Sequence, residues 1–350
     1  MRKPQQIPQR NRPDKYSIAM TTLVRSVNFS KYAALARGLG IDPMRMIRHV
    51  GLNQTCLVTP DLWVPEASLA ELLEVSAKTA GNASIGLMVG ESWRLSDFGV
   101  ISLLLQHQPT LRHALMELKC YRHLLSDSLV LDLVEYPTVT VIQLALVTGR
   151  GTPGRQPVEM VIAALLSLCR FFLGPRWMPR SVHFSHSAPV SVQIHQRVFR
   201  AQLEFGSEFD GMVLNKGDLD QLNPLCDPNM AKYAKDYIDL QPRNGGGNVA
   251  HDVRRALHVL LPGGQNSIQQ VAQSLGVSPR TLQRQLEQVG ENFQSLVNDV
   301  RREQATRYLN GQAHSILQIS ALLGFAETSV FSRWFSTQFG MPPSRWKKEN

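Results

Sequence analysis

Arginine and glutamine side chains share one face of a short predicted helix within LGVSPRTLQRQLEQVG, residues 275–290. At helical spacing, Arg280, Gln283 and Arg284 fall on the same side as Glu287. Lysine and glutamate would keep such a face soluble equally well. Arginine, however, can pair bidentately with guanine, and glutamine with adenine. These residue types therefore favour hydrogen bonding to base edges in a DNA major groove over simple solvation.

The chain repeats this arrangement once, and the repeat is the most specific signal in the sequence. SIQQVAQSLGVS (267–278) and SILQISALLGFA (315–326) agree at Ser, Ile, Gln, Leu and Gly with an offset of 48 residues. In each copy a small residue lets two helices cross closely, and a glycine four positions later makes the turn between them. The repeat predicts two helix-turn-helix units.

The second helix of each unit is predicted to have a buried and an exposed face. The residues expected to be buried are Leu282, Leu286 and Val289 in the first unit, and Val330, Phe331, Trp334 and Phe335 in the second. The exposed face of the second unit then carries Thr328, Ser329, Ser332, Arg333 and Ser336, whose side chains can reach bases or phosphates.

Helix ends and arginines supply candidate contacts to the DNA backbone. Helices that begin at Ser278 and Glu327 offer free N–H groups to phosphates, although Glu327 must then either cap its helix or accept from a cytosine amino group. Further phosphate candidates are Arg301, Arg302, Arg307 and Arg345. For Arg302 and Arg307, an ion pair with Glu303 or Asp299 is an equally good interpretation.

The stretch NFQSLVNDVRREQATRYLNG between the repeats predicts one connecting helix, with an apolar stripe that runs from Phe293 to Tyr308. A helix of about 18 residues is roughly 27 Å long. Set obliquely, it could hold the two second helices about one DNA turn apart, on the order of 34 Å. One polypeptide would then read two half-sites.

The composition is typical of a globular protein, and the distribution of charge is typical of one that binds a polyanion. The chain has 350 residues, of which 43% are apolar and 19% charged, enough for two domains. Of the net charge of +9, residues 1–15 and residues 251–350 contribute +4 each.

We find no membrane span or signal core and expect a cytoplasmic protein without a cofactor. The four cysteines are interpreted as reduced core thiols.

The first two thirds of the chain predict an α+β domain. Helical patterns at 64–81 and 110–127 precede a predicted antiparallel hairpin, a long helix at 156–174 and further short strands. The stretch LQPRNGGGNVA (240–250) marks a boundary. We divide the chain into a basic disordered tail (1–20), the α+β domain (21–240), a glycine-rich linker (241–249) and an all-α domain (250–350).

The C-terminal residues 250–348 resemble the AraC/XylS family of bacterial transcription regulators, whose DNA-binding domain is a double helix-turn-helix. SIQQVAQSLGVSPRTLQRQL and ALLGFAETSVFSRWFSTQFGMPPSRWK carry the resemblance. The base-contacting positions that it implies are Arg280, Thr281, Gln283, Arg284, Thr328, Ser329, Ser332 and Arg333. The family often has Gln or Asn where Thr328 and Ser329 stand, and these shorter side chains favour contact with the DNA backbone.

The N-terminal residues 35–222 look like the effector domain of ornithine-utilisation-type AraC regulators, and not like the sugar-binding cupin barrel. SLLLQHQPTLRHALMELKCYRHLLSD and FFLGPRWMPRSVHFSHSAPV carry this likeness. It implies a homodimer, control by a small-molecule effector and activation through RNA polymerase. Aromatic candidates for an effector pocket, with core packing as the alternative, are Trp93, Phe98, Tyr121, His123 and Phe205.

Other sites have weaker support. His183 and His186 have a metal-like spacing, but no third ligand accompanies them, so structural histidines are favoured. GRGTPG (149–154) is interpreted as a loop and not as a phosphate-binding loop. No catalytic motif is found, so we expect no enzyme. The alternative function is a small-molecule-binding or enzymatic domain with a helical protein-association module.

Overall fold

The computed structural model describes residues 22–81, 84–147, 154–240, 249–275, 277–310 and 314–349. The predicted basic tail (1–20), most of the loop 149–154 and nearly all of the predicted linker 241–249 lie outside these residues. The turn glycine of the first repeat, Gly276, lies outside them too.

A helical layer opens the N-terminal domain. A short antiparallel pair, β1 (Leu23–Arg25) and β2 (Trp63–Pro65), joins its ends. Its helices are α1 (Val27–Gly38), α2 (Pro43–His49), α3 (Glu66–Ala80) and α4 (Ile85–Glu91). They surround an apolar cluster that includes the fully buried Phe29 and Tyr32. The sequence patterns predicted α3 but not its shorter neighbours, because a helix of seven residues shows too little periodicity.

A five-stranded sheet forms the second layer, in the order β3, β4, β7, β5, β6. The strands are β3 (Leu129–Glu135), β4 (Val139–Leu146), β5 (Ser181–Phe184), β6 (Gln202–Phe205) and β7 (Asp210–Asn215). The predicted antiparallel hairpin is confirmed, with Leu129 opposite Leu146. One pair, β5 and β6, is parallel, because α8 (Gln193–Phe199) crosses over between them.

Further helices cover the sheet: α5 (Ile101–Leu105), α6 (Leu111–Tyr121), α7 (Arg155–Leu173) and α9 (Pro228–Asp239). The predicted long helix is α7, which lies against α4. A Cβ on Gly86 or Gly90 would come within 2.2 Å of a carbonyl oxygen of α7, so only glycine permits this approach. By length and composition α7 could cross a membrane, but 72% of its most apolar window is buried inside the protein.

The C-terminal domain is all helical, as predicted. Its helices are α10 (Val249–Leu260), α11 (Ile268–Ser274), α12 (Pro279–Gln288), α13 (Phe293–Asn310), α14 (Ile316–Leu322), α15 (Thr328–Phe339) and α16 (Pro343–Glu349). Two apolar clusters form, and α13 supplies residues to both: Leu296 and Val300 to the first, Tyr308 and Leu309 to the second. Two helix-turn-helix units therefore share one connecting helix.

Matching caps explain why the two repeats fold alike. Ser267 and Gln270 form a reciprocal capping box at the start of α11, and Ser315 and Gln318 form the same box at the start of α14. Each box satisfies two backbone N–H groups that would otherwise lack a partner at the helix start. The repeated Ser and Gln positions of the sequence therefore mark equivalent helix starts.

Two apolar residues predicted to be buried are exposed. Val289 is 48% exposed, because α12 ends at Gln288 and the chain then turns at Gly290, so helical spacing no longer places it inward. Val330 is 51% exposed, because the fully buried face of α15 is narrow and consists of Phe331 and Phe335.

The cysteines differ in burial, although all four are free thiols. Cys56 and Cys169 are buried, as expected of core thiols. Cys120 is exposed and Cys226 is half-buried, so the core interpretation is wrong for these two.

Candidate DNA interface and effector cavity

The exposed face of α12 presents polar groups that the protein itself does not use. Arg280, Gln283 and Arg284 are exposed, and no hydrogen bond or ion pair joins their side chains to the part of the chain that the structure describes. Ser278 caps the helix by accepting from the Thr281 N–H at 3.1 Å, and its hydroxyl lies 2.8 Å from that of Thr281. The buried Leu282 and Leu286 fix the opposite face. This arrangement leaves three hydrogen-bonding side chains free for an external partner.

Most side chains on the equivalent face of α15 are shorter than those on α12. Ser329 and Arg333 are exposed, whereas Thr328 and Ser332 are half-buried. Glu327 stands at the N-cap but makes no capping hydrogen bond with its side chain, so the capping interpretation is wrong. It accepts instead from the Ser329 hydroxyl at 3.0 Å. The Glu327 carboxylate therefore already pairs with Ser329, which is one of the candidate DNA-contacting residues.

Arg301 is buried and not available for a phosphate, so that prediction is wrong. It is 9% exposed; its Nε donates to Leu323 O at 3.0 Å, and its Nη2 donates to Gly324 O at 3.2 Å. Its guanidinium lies 4.1 Å from the centre of the Phe325 ring, and burial lowers its pKa. The sequence held a signal for this, since Arg301 follows Val297 by four residues and shares its inward face.

The buried Arg301 holds the turn between α14 and α15 against the connecting helix α13. Asn266 reaches the same turn from the first unit and donates to Gly324 O at 2.9 Å. Trp334 of α15 donates through Nε1 to Asn298 of α13 at 3.1 Å. Contacts from both sides therefore set the orientation of α15 relative to α12, which a flexible junction could not do.

The remaining phosphate candidates have different surroundings. Arg302 pairs with Asp299 and donates to Gln338 at 2.9 Å, as in the alternative interpretation. Arg307 pairs with neither Glu303 nor Asp299 but with Asp210 of the N-terminal domain. Ser278 and Arg345 are exposed. Arg302 is exposed as well, but its guanidinium already has Asp299 and Gln338 as protein partners.

A cavity of about 70 Å³ lies between the helical layer and the sheet of the N-terminal domain. Of the aromatic candidates, Trp93 and Phe98 line it, with their rings 5.1 Å apart in an edge-to-face arrangement. The other three do not line it. Tyr121 donates to Asp239 at 2.7 Å, His123 lies beside Tyr121, and Phe205 stacks on Phe184. Tyr121 and Phe205 belong to or pack against the apolar core, as in the alternative interpretation.

Polar residues that the sequence analysis missed also line the cavity. Glu66 is 5% exposed and accepts from the Ser128 hydroxyl at 2.7 Å. Burial raises the pKa of its carboxyl, although hydrogen bonding with Ser128 and Thr22 opposes the shift. Asn28 and Ser126 also line the cavity, as hydrogen-bonding groups among aliphatic neighbours. No local pattern marked them, because each lies on a different element.

The histidines have protein partners. His183 contacts the hydroxyls of Ser181 and Ser207 and stacks on Phe209. His186 lies 3.5 Å from Glu159, which also contacts the buried His195 at 2.9 Å. Within the described ranges, no group of three or more His, Cys, Asp or Glu side chains is arranged to hold a metal ion.

Two helix-turn-helix units beside an α+β domain define a helix-turn-helix transcription regulator. Residues 40–223 match the arabinose-binding N-terminal domain of AraC transcription regulators, and residues 253–349 match a helix-turn-helix domain. The chain belongs to the AraC family of transcription regulators.

Named relatives are transcription regulators too. The chain is 26% identical over 328 residues to the HTH-type transcriptional regulator VirS of Mycobacterium tuberculosis, covering 93% of this chain and 96% of VirS. It is 24% identical over 270 residues to the ornithine utilization regulator of Pseudomonas aeruginosa, covering 77% and 79% of the two chains. The crystal structure of the regulator CdpR from Pseudomonas aeruginosa aligns with a TM-score of 0.43 at 20% identity, over 92% of this chain and 96% of CdpR.

Proposed function

We propose that this regulator activates transcription by reading two successive major grooves, with α12 as its main base-reading helix. The free side chains of Arg280, Gln283 and Arg284 carry the proposal, because their donors and acceptors match guanine and adenine edges. Thr281 adds a shorter contact from the same face.

The second helix, α15, has a mainly positioning role in this proposal. Arg333 is its one long free side chain among the proposed contacts, and Thr328, Ser329 and Ser332 are too short for bidentate base pairing. Ser278 and Arg345 contact phosphates beside the two grooves. Such contacts set the register on DNA without reading sequence themselves.

The experiment that tests this function selects binding sites from random duplex DNA with the full chain. We expect a recovered motif with two unequal half-sites whose centres lie about one helical turn apart, roughly 10 bp. The half-site read by α12 has the stronger base preference. Affinity should fall steeply as salt rises, because phosphate contacts release counterions. Recovery of no motif at low salt would favour the alternative of a protein-association module.

The same proposal includes a homodimer formed through α9. One side of α9 buries Ala234 and Ile238. Another side exposes a stripe of large apolar residues, each between 47% and 82% exposed: Met230, Tyr233, Tyr237 and Leu240. Their alternating spacing of three and four is that of a coiled-coil seam. A second copy presents an identical stripe, so the pair can close with two-fold symmetry.

Tyr237→Lys should weaken this dimer, because it places a charge in the centre of the seam. We expect the dimer dissociation constant to rise about 30-fold, the equivalent of about 2 kcal/mol for an interface tyrosine. Sedimentation of the full chain measures it, with Lys232→Ala on the exposed flank as the matched control. An unchanged constant in the Tyr237 variant would place the dimer interface elsewhere.

We also infer that the protein acts without catalysis, in the cytoplasm, with RNA polymerase as its partner in activation. A small-molecule effector bound by the N-terminal domain controls it. The regulatory relatives support a binding role.

A further inference from the structure

Three buried polar atoms without hydrogen-bond partners line the cavity of the N-terminal domain. They are Oε2 of Glu66, Oδ1 of Asn28 and Nε1 of Trp93. Glu66 and Asn28 are only 5% and 3% exposed, so bulk water does not satisfy them. Buried polar groups in native proteins are almost always paired, and exceptions call for a partner such as a bound molecule. Three unpaired atoms on one cavity indicate a ligand site.

The two acceptors are held in place by their remaining hydrogen bonds. Ser128 donates to the other carboxyl oxygen of Glu66 at 2.7 Å, and Ser126 lies 2.9 Å from Ser128. The side-chain amide of Asn28 donates to Arg25 O at 3.2 Å, which leaves its oxygen free. The polar end of the cavity is thus organised before any ligand arrives.

Apart from Ser126, the other described residues of the lining are apolar. Leucines of α6, β3 and β4 are among them, together with Met160 and Leu165 of α7. Among the residues that the structure describes, no Lys, Arg or His lines the cavity. A ligand carboxylate would lose its hydration here beside Glu66 and without a counter-charge. An ammonium group could meet Glu66 but would leave the Trp93 N–H unpaired, because it has no acceptor.

A hydroxyl group pairs with two of the three atoms. It donates one hydrogen bond, to Glu66 or Asn28, and accepts from the Trp93 N–H. The volume of about 70 Å³ is well below the ~150 Å³ of an apolar cavity that holds benzene, so a short aliphatic body fits better than a ring.

We propose that this cavity is the effector site and that its ligand is a small aliphatic alcohol whose hydroxyl accepts from Trp93 and donates to Glu66 or Asn28. The proposal rests on the function proposed above and names the chemistry of its effector.

The sheet gives such a ligand a route to the DNA-binding domain. Leu131 and Leu144 line the cavity from β3 and β4. Their neighbours Asp132 and Gln143 line a second cavity, of about 240 Å³, together with Arg307 of α13. Because successive residues of a strand point to opposite faces, the same two strands form a wall of both cavities. An alcohol that shifts these strands changes the surface on which the C-terminal domain rests.

Calorimetric titration of the full chain with straight-chain primary alcohols, from 1-propanol to 1-hexanol, tests the proposal. We expect saturable binding with an optimum chain length, and at least tenfold weaker binding of butyrate and butylammonium than of 1-butanol. Glu66→Gln should weaken 1-butanol binding at least tenfold, and Ala164→Leu, which fills the cavity, should abolish it. Glu71→Gln, on the exposed side of the same helix, should leave it unchanged.

Several results would overturn the alcohol site: no saturable binding of any alcohol, tighter binding of butyrate or butylammonium, or unchanged binding in Ala164→Leu. DNA binding of the same preparations without alcohol separates the two proposals. DNA binding without alcohol binding rejects the alcohol site alone. If the unaltered chain does not bind DNA, the proposed function is rejected, whether or not an alcohol binds.

Discussion

Arg284→Ala is expected to weaken binding to the selected DNA site by about 5- to 150-fold, the equivalent of about 1–3 kcal/mol for one bidentate base contact. The guanidinium is exposed on α12 and has no partner within the described protein, so its removal changes the DNA contact and not the fold. Base preference should relax at one position of the stronger half-site. Competition binding against single-base variants of the site measures both effects.

Arg45→Ala is the matched control, because Arg45 is an exposed arginine on α2, far from α12 in the sequence. It removes the same charge from the chain and should lower affinity only slightly, without changing base preference. If Arg284→Ala binds the site as tightly as the parent and with the same preference, the face assigned to base reading is wrong.

Phe335→Ala is expected to unfold the second helix-turn-helix unit. Phe335 is fully buried and contacts the rings of Phe331, Phe339 and Trp346, with ring centres 4.3 to 5.9 Å away. Truncation of a buried phenylalanine costs about 3–5 kcal/mol, and the fully buried part of this cluster is small. The first unit has its own cluster and should stay folded.

Calorimetry of the full chain should then show one transition at a lower temperature than in the parent. DNA binding should drop to the affinity of one half-site. Val330→Ala on the same helix removes an exposed side chain and should change stability by less than about 0.5 kcal/mol. An unchanged melting profile in Phe335→Ala would show that the second unit does not depend on this aromatic cluster.

The helices and the repeat could be predicted because their signals are local. The capping serines, the small residue at each helix crossing and the spacing of Leu282 and Leu286 all lie within a few residues of one another. The same holds for the hairpin of β3 and β4, whose alternation shows in one short stretch. Short-range hydrogen bonds and one buried face decide these elements.

The misplaced residues depend on contacts between distant parts of the chain. Arg301 is a plausible surface residue until the second turn brings Leu323 O and Gly324 O to it. The cavity combines Asn28 and Glu66 with Trp93, which lie on separate elements and share no spacing pattern. Tyr121, by contrast, is drawn away from the cavity by its hydrogen bond to Asp239 of α9.

Contacts between the two domains also lie beyond local patterns. Asp210 is 2% exposed, accepts from Ser185 and pairs with Arg307 of α13, while Arg255 of α10 donates to Asp127 O at 3.1 Å. These contacts join the two domains directly, beside the predicted linker at residues 241–249. The exposed faces of α12 and α15 are not part of this contact, so a docked C-terminal domain can still meet DNA.

Methylation interference on the selected site is the measurement that decides most directly whether two helices enter two successive grooves. Methylation of guanine N7 blocks contacts in the major groove alone. We expect two groups of interfering guanines about 10 bp apart on one face of the duplex, and one guanine of the stronger group should lose its interference in Arg284→Ala. A single group in the parent protein, or two groups on opposite faces, would contradict the two-groove arrangement.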